Sequence, residues 1–120
     1  MNLRDTFRRE HLWVVASLPS ADGSVVAVNF TTRKPGCDEN CIILPGEHPF
    51  IAHETVIAYE KALVWDRAKQ AFVDANPKLC PPMAPVSEAL LAKIQSGALI
   101  SDLMPQKMQT MVRDSMARQR

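Results

Sequence analysis

Residues 11–32 read HLWVVASLPSADGSVVAVNFTT, and this stretch decides the fold. Two runs rich in aromatic and β-branched residues, 11–18 and 25–32, flank a segment dense in turn-forming residues. Within that segment, Asp22-Gly23 can adopt a positive φ at low cost, as a tight reversal of the chain requires. The pattern predicts an antiparallel hairpin. Both strands are almost continuously apolar, which predicts that both faces are covered, either in a small barrel or in a sheet wrapped by helices.

Shorter strand signals follow the hairpin. Residues 41–44 (CIIL) predict a third strand that ends at Pro45-Gly46, and residues 55–65 contain strand-like runs as well as a helical stripe. For residues 55–65 the β-branched and aromatic content favours a strand. The ten residues before the hairpin are polar and predict a short helix or a loose arm.

The C-terminal third of the chain changes to helical periodicity. Residues 76–85 hold four of the nine prolines and predict an irregular crossover. After it, Ser87 is expected to cap a helix that Gly97 ends, and Ser101 or Asp102 is expected to start a second helix. Four methionines follow helical spacing there, which predicts packing against the sheet or against a second copy of the chain: Met104, Met108, Met111 and Met116.

Together these elements predict one domain of the α+β class. A chain of 120 residues is long enough to bury a core of its own. We expect a small, mainly antiparallel β-barrel of five strands or fewer over residues 10–72 and a proline-rich crossover over residues 76–85. Two helices are expected within residues 86–118.

The composition identifies no particular partner. The formal net charge is +1, which gives no overall attraction to nucleic acid or to an anionic membrane. No apolar run approaches the roughly 20 residues that span a bilayer, and the first five residues lack the apolar core of a signal peptide. Three cysteines without disulfide-like spacing suit a reducing compartment. The sequence therefore predicts a cytoplasmic protein without a membrane partner.

The side chains best suited to chemistry near neutral pH cluster in one segment. Its members are Cys37, Asp38, Cys41, His48 and His53. A zinc site would use Cys41 and both histidines, but the segment lacks the Cys-x-x-Cys pair that structural zinc sites usually show, so no metal or other cofactor is predicted. A cysteine nucleophile, in which Cys41 acts with one of the histidines and Asn29, is a less favoured interpretation.

His48 and His53 are the candidate catalytic pair. They flank a rigid Pro-Phe step, and one neutral and one charged imidazole can act as general base and general acid on a phosphodiester. The candidate substrate-binding residues lie in the preceding loop, where cationic groups could hold a phosphate: Arg33, Lys34 and Asp38. In the alternative interpretation, each histidine only ties down backbone carbonyl groups of its loop. His11, which opens a strand, is interpreted as a structural or surface residue.

The order of strands resembles that of the PemK/MazF toxins. The resemblance covers residues 11–66, through the strand HLWVVAS, a turn, the strand VVAVNFTT, and the run TVIAY that leads to LVWD. That family builds a small SH3-like barrel that cuts RNA, and an inhibitory antitoxin wraps its dimer. Its second barrel strand often ends in a hydroxyl pair like Thr31-Thr32, and a threonine works with an arginine in cleavage. The resemblance therefore implies Thr32, or its neighbour Thr31, as a catalytic residue.

The predicted function is that of a toxin-like endoribonuclease of a toxin–antitoxin system. It would cleave RNA by metal-independent acid–base chemistry with His48, His53 and Thr32. RNA, an inhibitory antitoxin-like protein and a second copy of the chain are the expected partners. The alternative is a non-catalytic small-barrel module that binds protein or nucleic acid, because fold alone does not determine function. Catalysis needs both histidines in one open cleft near a basic side chain, whereas a binding module leaves them bonded to backbone.

Overall fold

The hairpin predicted from residues 11–32 lies at the centre of an α+β structure. The computed structural model describes residues 1–119. Seven strands and three helices occur in this part of the chain: β1 (Thr6–Arg9), β2 (His11–Val15), β3 (Val25–Thr32), β4 (Ile42–Ile43), β5 (Thr55–Ile57), β6 (Leu63–Trp65), α1 (Arg67–Ala75), β7 (Pro82–Met83), α2 (Glu88–Ile100) and α3 (Gln106–Arg118).

The sheet is built around β3. One edge of β3 pairs with β2, while along the other edge its first half pairs with β6 and its second half with β5. The sheet continues through β2 and β1 to β7 on one side and through β5 to β4 on the other. Every pairing is antiparallel, which confirms the prediction of a mainly antiparallel sheet.

The sheet is open, so the predicted closed barrel of five strands or fewer is wrong. Its edge strands β4 and β7 have two residues each, and within residues 1–119 they do not pair with one another. A barrel requires the two edges of a sheet to meet. The continuously apolar strands that suggested a barrel have a different cause, because helices cover both faces of the sheet.

Alternate residues of the central hairpin point to opposite faces of the sheet. On one face, Val14 belongs to a large apolar cluster with Ile94 of α2 and Val112 of α3. On the other face, Val15 belongs to a smaller cluster with Val73 of α1. The second predicted arrangement, a sheet wrapped by helices, is therefore the one that forms.

The turn of the hairpin forms at Asp22-Gly23 as predicted. Gly23 has a φ of 85°, in the region that favours glycine. The Asp22 carboxylate accepts hydrogen bonds from the Ser20 hydroxyl and the Ser24 backbone N–H at 2.6 and 2.9 Å. These bonds, that of Ser20 foremost, stabilise the charged form and lower the pKa of Asp22 to about 2.

The polar N-terminal segment forms β1, so the predicted short helix or loose arm is wrong. Thr6 and Phe7 are buried, whereas Arg8 and Arg9 are exposed. Phe7 is therefore the one residue of this strand that carries an apolar signal in the sequence. A single residue, Glu10, connects β1 to β2 and adopts a φ of 64°.

Two further elements of the structure, α1 and β7, were not predicted from the sequence. The sequence does not predict α1, because its only buried residues are Gln70 and Val73. Within the proline cluster, where irregular structure is expected, Pro82–Met83 forms the short edge strand β7. Proline is tolerated at a sheet edge, where its missing N–H leaves no neighbour unpaired.

The two C-terminal helices form within residues 86–118, as predicted. The Ser87 side chain accepts the N–H of Leu90 at 3.0 Å and caps α2 as expected. Gly97 does not end α2, which continues to Ile100. Gly97 is glycine for a packing reason, because a Cβ at this position would collide with the hydroxyl group of Tyr59.

The second C-terminal helix begins after Pro105 rather than at Ser101 or Asp102. The Ser101 hydroxyl instead donates to the carboxylate of Asp38 at 2.5 Å. The methionine face packs against the larger apolar cluster, which confirms packing on the sheet: Met104 is buried, and Met108, Met111 and Met116 are partly buried. In residues 1–119 no helix combines the length and the apolarity that crossing a membrane requires.

The prediction of a strand for residues 55–65 is confirmed at both ends of this segment. They contain β5 and β6, separated by a 3-10 turn over Tyr59–Lys61. In this turn the Tyr59 side chain is fully buried and donates a hydrogen bond to the carbonyl oxygen of Ile94 in α2, at 2.6 Å. The turn therefore attaches the sheet to the helix that covers it.

Candidate functional site

Four strand ends meet around an open cleft of about 370 Å³, which we call the histidine cleft. Because neighbouring strands are antiparallel, the ends of β1 and β3 lie beside the starts of β2 and β5. The polar and aromatic side chains that matter for chemistry there are Arg8, His11, Thr32, Lys34, Phe50 and His53. The cleft thus combines two imidazoles, two cationic groups and an exposed aromatic ring with threonine hydroxyl groups and the carboxylate of Glu10.

His53 and Thr32 form a pair of polar side chains in contact within the histidine cleft. The Nε2 atom of His53 lies 3.0 Å from the Thr32 hydroxyl oxygen, and both side chains are exposed. The pairing of Thr32 with Thr55 across β3 and β5 brings the two residues together, since His53 lies just before β5. The structure therefore places two of the predicted catalytic residues in one hydrogen-bonded pair.

His11 is the second imidazole of the histidine cleft. It is exposed, as its interpretation as a surface residue allows, and it lines the same cleft as His53. The sequence already carried a signal for this, because a hairpin of residues 11–18 with residues 25–32 places the first residue of one strand beside the last residues of the other.

Arg8 and Phe50 form one wall of the histidine cleft. The Arg8 guanidinium carbon lies 4.5 Å from the centroid of the Phe50 ring, within the range of a cation–π interaction. Phe50 is 37 % exposed. Arg8 is missed by sequence reasoning because the strand that carries it is also missed.

His48 does not line the histidine cleft. It is buried, its Nδ1 accepts the backbone N–H of Phe50 at 3.1 Å, and its Nε2 lies 2.7 Å from the carbonyl oxygen of Ala84. Since Nδ1 accepts, the ring proton is on Nε2 and is donated to Ala84. Both ring nitrogens therefore bond to backbone, the arrangement expected in the alternative interpretation of the histidines.

Arg33 and Lys34 differ in their availability. The Arg33 guanidinium is held by the carboxylates of Glu39 and Glu54, and the pKa of Arg33 is raised, chiefly by the hydrogen bond with Glu39. Lys34 lines the histidine cleft and forms no ion pair within residues 1–119. Lys34 is therefore the cationic group of this loop that can meet a phosphate.

Asp38 fastens its own loop rather than lining the cleft. One carboxylate oxygen accepts the backbone N–H and the side-chain amide of Asn40, at 2.9 and 2.7 Å. The other accepts the Ser101 hydroxyl, as described above. The structure brings Asp38 to the end of α2 instead of to His53.

The cysteines are spread over the structure. Cys37, Cys41 and Cys80 are all free, and Cys41 and Cys80 are buried. Burial raises the pKa of the Cys41 thiol to about 11, which disfavours the thiolate that a nucleophile or a metal ligand requires. Over the described residues, 1–119, no group of three or more His, Cys, Asp and Glu side chains converges as metal ligands would.

Comparison with protein-family models, with curated proteins and with solved structures finds no match for this chain. The resemblance to the PemK/MazF toxins therefore stays a prediction from the sequence.

Proposed function

We propose that the protein is a metal-independent endoribonuclease of the toxin class and that the histidine cleft is its active site. The observation that carries this proposal is the presence of His11 and His53 in one open cleft with a hydroxyl group and two cationic side chains. The catalytic pair proposed from the geometry is therefore His11 with His53. His48 is assigned to the support of the loop that carries Phe50.

The reaction requires four contributions from the cleft. One neutral imidazole removes the proton of the ribose 2′-hydroxyl, whose oxygen attacks the adjacent phosphorus in line with the leaving 5′-oxygen. The other imidazole, charged, donates a proton to that 5′-oxygen as the P–O bond breaks. The products are a 2′,3′-cyclic phosphate and a 5′-hydroxyl, so atoms and protons balance and no metal ion is needed.

The remaining side chains bind and position the substrate. Lys34 and Arg8 supply positive charge for the phosphate, where charge develops in the transition state. The Thr32 hydroxyl orients the His53 ring through their 3.0 Å contact. The exposed face of Phe50 offers a stacking surface for an unpaired base, the usual way in which proteins hold single-stranded RNA.

The test is cleavage of a labelled single-stranded RNA in the presence of a chelator that removes divalent metals. We expect cleavage by the wild-type protein, a loss of about 100-fold or more for His11→Ala and for His53→Ala, and wild-type activity for Lys107→Ala, an exposed lysine on α3 that serves as the matched control. A substrate with a deoxyribose at the cleaved position should resist, because it lacks the attacking hydroxyl.

Two results would remove the proposal. One is an RNA that stays intact with the wild-type protein under all pH conditions. The other is equal cleavage by the wild type and by the His11→Ala, His53→Ala double variant, which would indicate a contaminating nuclease. A bell-shaped dependence of the cleavage rate on pH, with both limbs altered in the single variants, would support the two imidazoles as acid and base.

A non-catalytic binding module is the second candidate. The observation that favours it is the burial of His48, whose two ring nitrogens are used by backbone groups. In that case the same cleft binds RNA through Lys34, Arg8 and Phe50 without cutting it. The cleavage assay separates the two, because the binding module shifts labelled RNA in a gel and leaves it intact.

An inhibitory antitoxin-like protein, a homodimer and a cytoplasmic location belong to the proposal as consequences of the toxin class. Expression of the wild type in the cytoplasm should stop growth, whereas the His11→Ala, His53→Ala double variant should not. The mass in solution, measured by light scattering, tests the homodimer. A toxin active as a monomer would contradict this part alone.

A further inference from the structure

A second, smaller cleft lies on the opposite face of the sheet from the histidine cleft and meets it at Glu10; we call it the indole cleft. It has a volume of about 280 Å³ and contains both tryptophans of the chain, Trp13 and Trp65. Consecutive residues of β1 serve the two clefts alternately, since Arg8 lines the histidine cleft whereas Phe7 and Arg9 line the indole cleft. Glu10, at the tip between β1 and β2, lines both clefts.

Aromatic rings form the inner wall of the indole cleft. The rings of Trp13 and Trp65 lie 5.7 Å apart at an interplanar angle of 43°, and those of Phe7 and Trp65 lie 6.4 Å apart at 53°. Trp13 is half-buried, and Leu63 at the rim is 48 % exposed. The accessible surface of the wall is therefore that of Trp13 and Leu63, whereas Phe7 and Trp65 are buried.

Two cationic groups stand at the rim of the indole cleft. The Arg9 guanidinium lies 5.7 Å from the centroid of the exposed Phe72 ring, and the Lys69 ammonium group lies 5.6 Å from the same centroid. Neither side chain forms an ion pair within residues 1–119. One ring thus holds two like charges close together, and Glu10 is the one carboxylate among the residues that line the cleft, so the rim has an excess of positive charge that attracts an anion.

The wall also contains a hydrogen-bond donor for which residues 1–119 provide no acceptor. The indole Nε1 of Trp65 is buried and has no hydrogen-bond partner among residues 1–119. A buried donor without an acceptor is uncommon in folded proteins and calls for an explanation. A ligand that carries an acceptor and inserts beside this ring would supply one.

We propose that the indole cleft binds one nucleotide of a single-stranded RNA, with the base against the half-buried Trp13 and a phosphate between Arg9 and Lys69. The volume suits a ligand of this size rather than a peptide helix, and base-on-aromatic stacking beside a cationic rim is how proteins hold unpaired nucleotides. The inference rests on the proposed function in one respect. The bound nucleotide is taken to be part of the RNA that passes Glu10 and continues into the histidine cleft.

Tryptophan fluorescence tests the inference directly, because both tryptophans lie in the cleft. The protein would be titrated with adenosine 5′-monophosphate, with adenosine and with inorganic phosphate, and excited at the red edge of the indole absorption, where nucleotides do not absorb. We expect saturable quenching by the nucleotide, weaker affinity for adenosine, and no quenching by phosphate. Lys69→Glu should weaken nucleotide binding about tenfold or more, since it reverses a charge at the rim. Lys107→Glu, the same charge change on α3, should leave it unchanged.

A second variant separates binding from folding. Leu63→Asp places a negative charge at an exposed position at the mouth of the cleft, where it should repel the phosphate of the nucleotide. The melting temperature should stay close to that of the wild type. Absence of saturable quenching at millimolar nucleotide, or equal weakening by Lys69→Glu and Lys107→Glu, would overturn the inference.

The outcome is independent of cleavage. The His11→Ala, His53→Ala double variant should bind the nucleotide in the indole cleft as the wild type does. Quenching that depends on Lys69 supports the inference even if the protein cuts no RNA. Conversely, cleavage without quenching leaves the proposed function standing and removes the nucleotide site.

Discussion

The buried ring of His48 and the carbonyl group of Ala84 join two segments that lie 36 residues apart in the chain, through a 2.7 Å contact. The same carbonyl oxygen accepts the hydroxyl of Thr6 from β1, also at 2.7 Å. Because the other ring nitrogen accepts the Phe50 N–H, the imidazole holds the loop that presents Phe50 to the histidine cleft. The Ala84 carbonyl group, before α2, is therefore bonded to the loop through His48 and to the first strand through Thr6.

Replacement of His48 by alanine should lower the stability of the protein. The change removes two hydrogen bonds and leaves a buried space, so we expect a loss of about 1–3 kcal/mol in the free energy of unfolding. Urea unfolding would measure it, with His11→Ala as the exposed control, expected within about 0.5 kcal/mol of the wild type. A His48→Ala protein of undiminished stability that has lost all cleavage activity would instead assign His48 to the chemistry.

Lys34 and Arg33 should contribute unequally to RNA binding. Lys34→Ala should weaken binding of a 2′-O-methylated, uncleavable RNA several-fold and reduce the slope of log affinity against log salt by about one. Arg33→Ala should change the affinity less, because Glu39 and Glu54 already neutralise that guanidinium. Filter binding over a salt series would measure both, and an equal loss for the two variants would contradict the assignment.

The stability of the fold should fall in alkaline solution. The folded protein holds the Cys41 proton more tightly than the unfolded chain, since the pKa rises from 9.0 to about 11 on burial. The resulting contribution to the free energy of unfolding is fully present below pH 9. It is lost as the pH rises toward 11, at a rate of at most about 1.4 kcal/mol per pH unit. Burial also raises the pKa of Tyr59. The free energy of unfolding therefore falls further once the pH exceeds the ordinary pKa of a tyrosine.

Urea unfolding at a series of pH values would measure this decline. Cys41→Ala should flatten it between pH 9 and about 11 and leave the part due to Tyr59. A Cys41→Ala protein with the wild-type slope throughout that window would show that the thiol does not titrate with unfolding.

Gly97→Ala should destabilise the protein although alanine is the better helix former. The added Cβ would collide with the Tyr59 hydroxyl and lie 2.8 Å from the carbonyl oxygen of Asn40. Overpacking of this kind costs about 1–3 kcal/mol. Thermal unfolding would measure it, with the exposed neighbour Ser96→Ala as control. Combination with Tyr59→Phe, which removes the hydroxyl, should restore part of the loss, and a Gly97→Ala protein more stable than the wild type would exclude the collision.

The parts of the fold that the sequence predicts are those with local causes. Asp22-Gly23 allows the tight turn and Ser87 caps α2, so the hairpin and this helix start can be found in the sequence. The open sheet could not be predicted, because closure depends on whether distant edges meet. In β1 and α1 too few side chains are buried to produce a periodic signal.

The candidate site, like the fold, could be predicted from the sequence only in part. Clustering along the chain drew attention to His48 and His53, yet proximity in sequence does not decide which side a loop residue faces. His48 turns inward to backbone, while His11, remote in sequence, joins His53 where strand ends meet. Within residues 1–119 the carboxylates of Glu39 and Glu54 pair with Arg33 and not with its neighbour Lys34, a tertiary arrangement that the order of residues in the sequence does not predict.

The central position of β3 determines how fast its backbone amide hydrogens exchange with solvent. Its peptide groups bond to β2 along one edge and to β5 and β6 along the other, and residues 25–30 are all buried. Amide hydrogens in such a strand exchange with deuterium only when the whole molecule opens, whereas those of the two-residue edge strands exchange through local fraying. β3 is thus the strand whose exchange rate reports the global unfolding equilibrium, and the histidine cleft, which Phe30, Thr31 and Thr32 line, is built on this slowest-opening part of the chain.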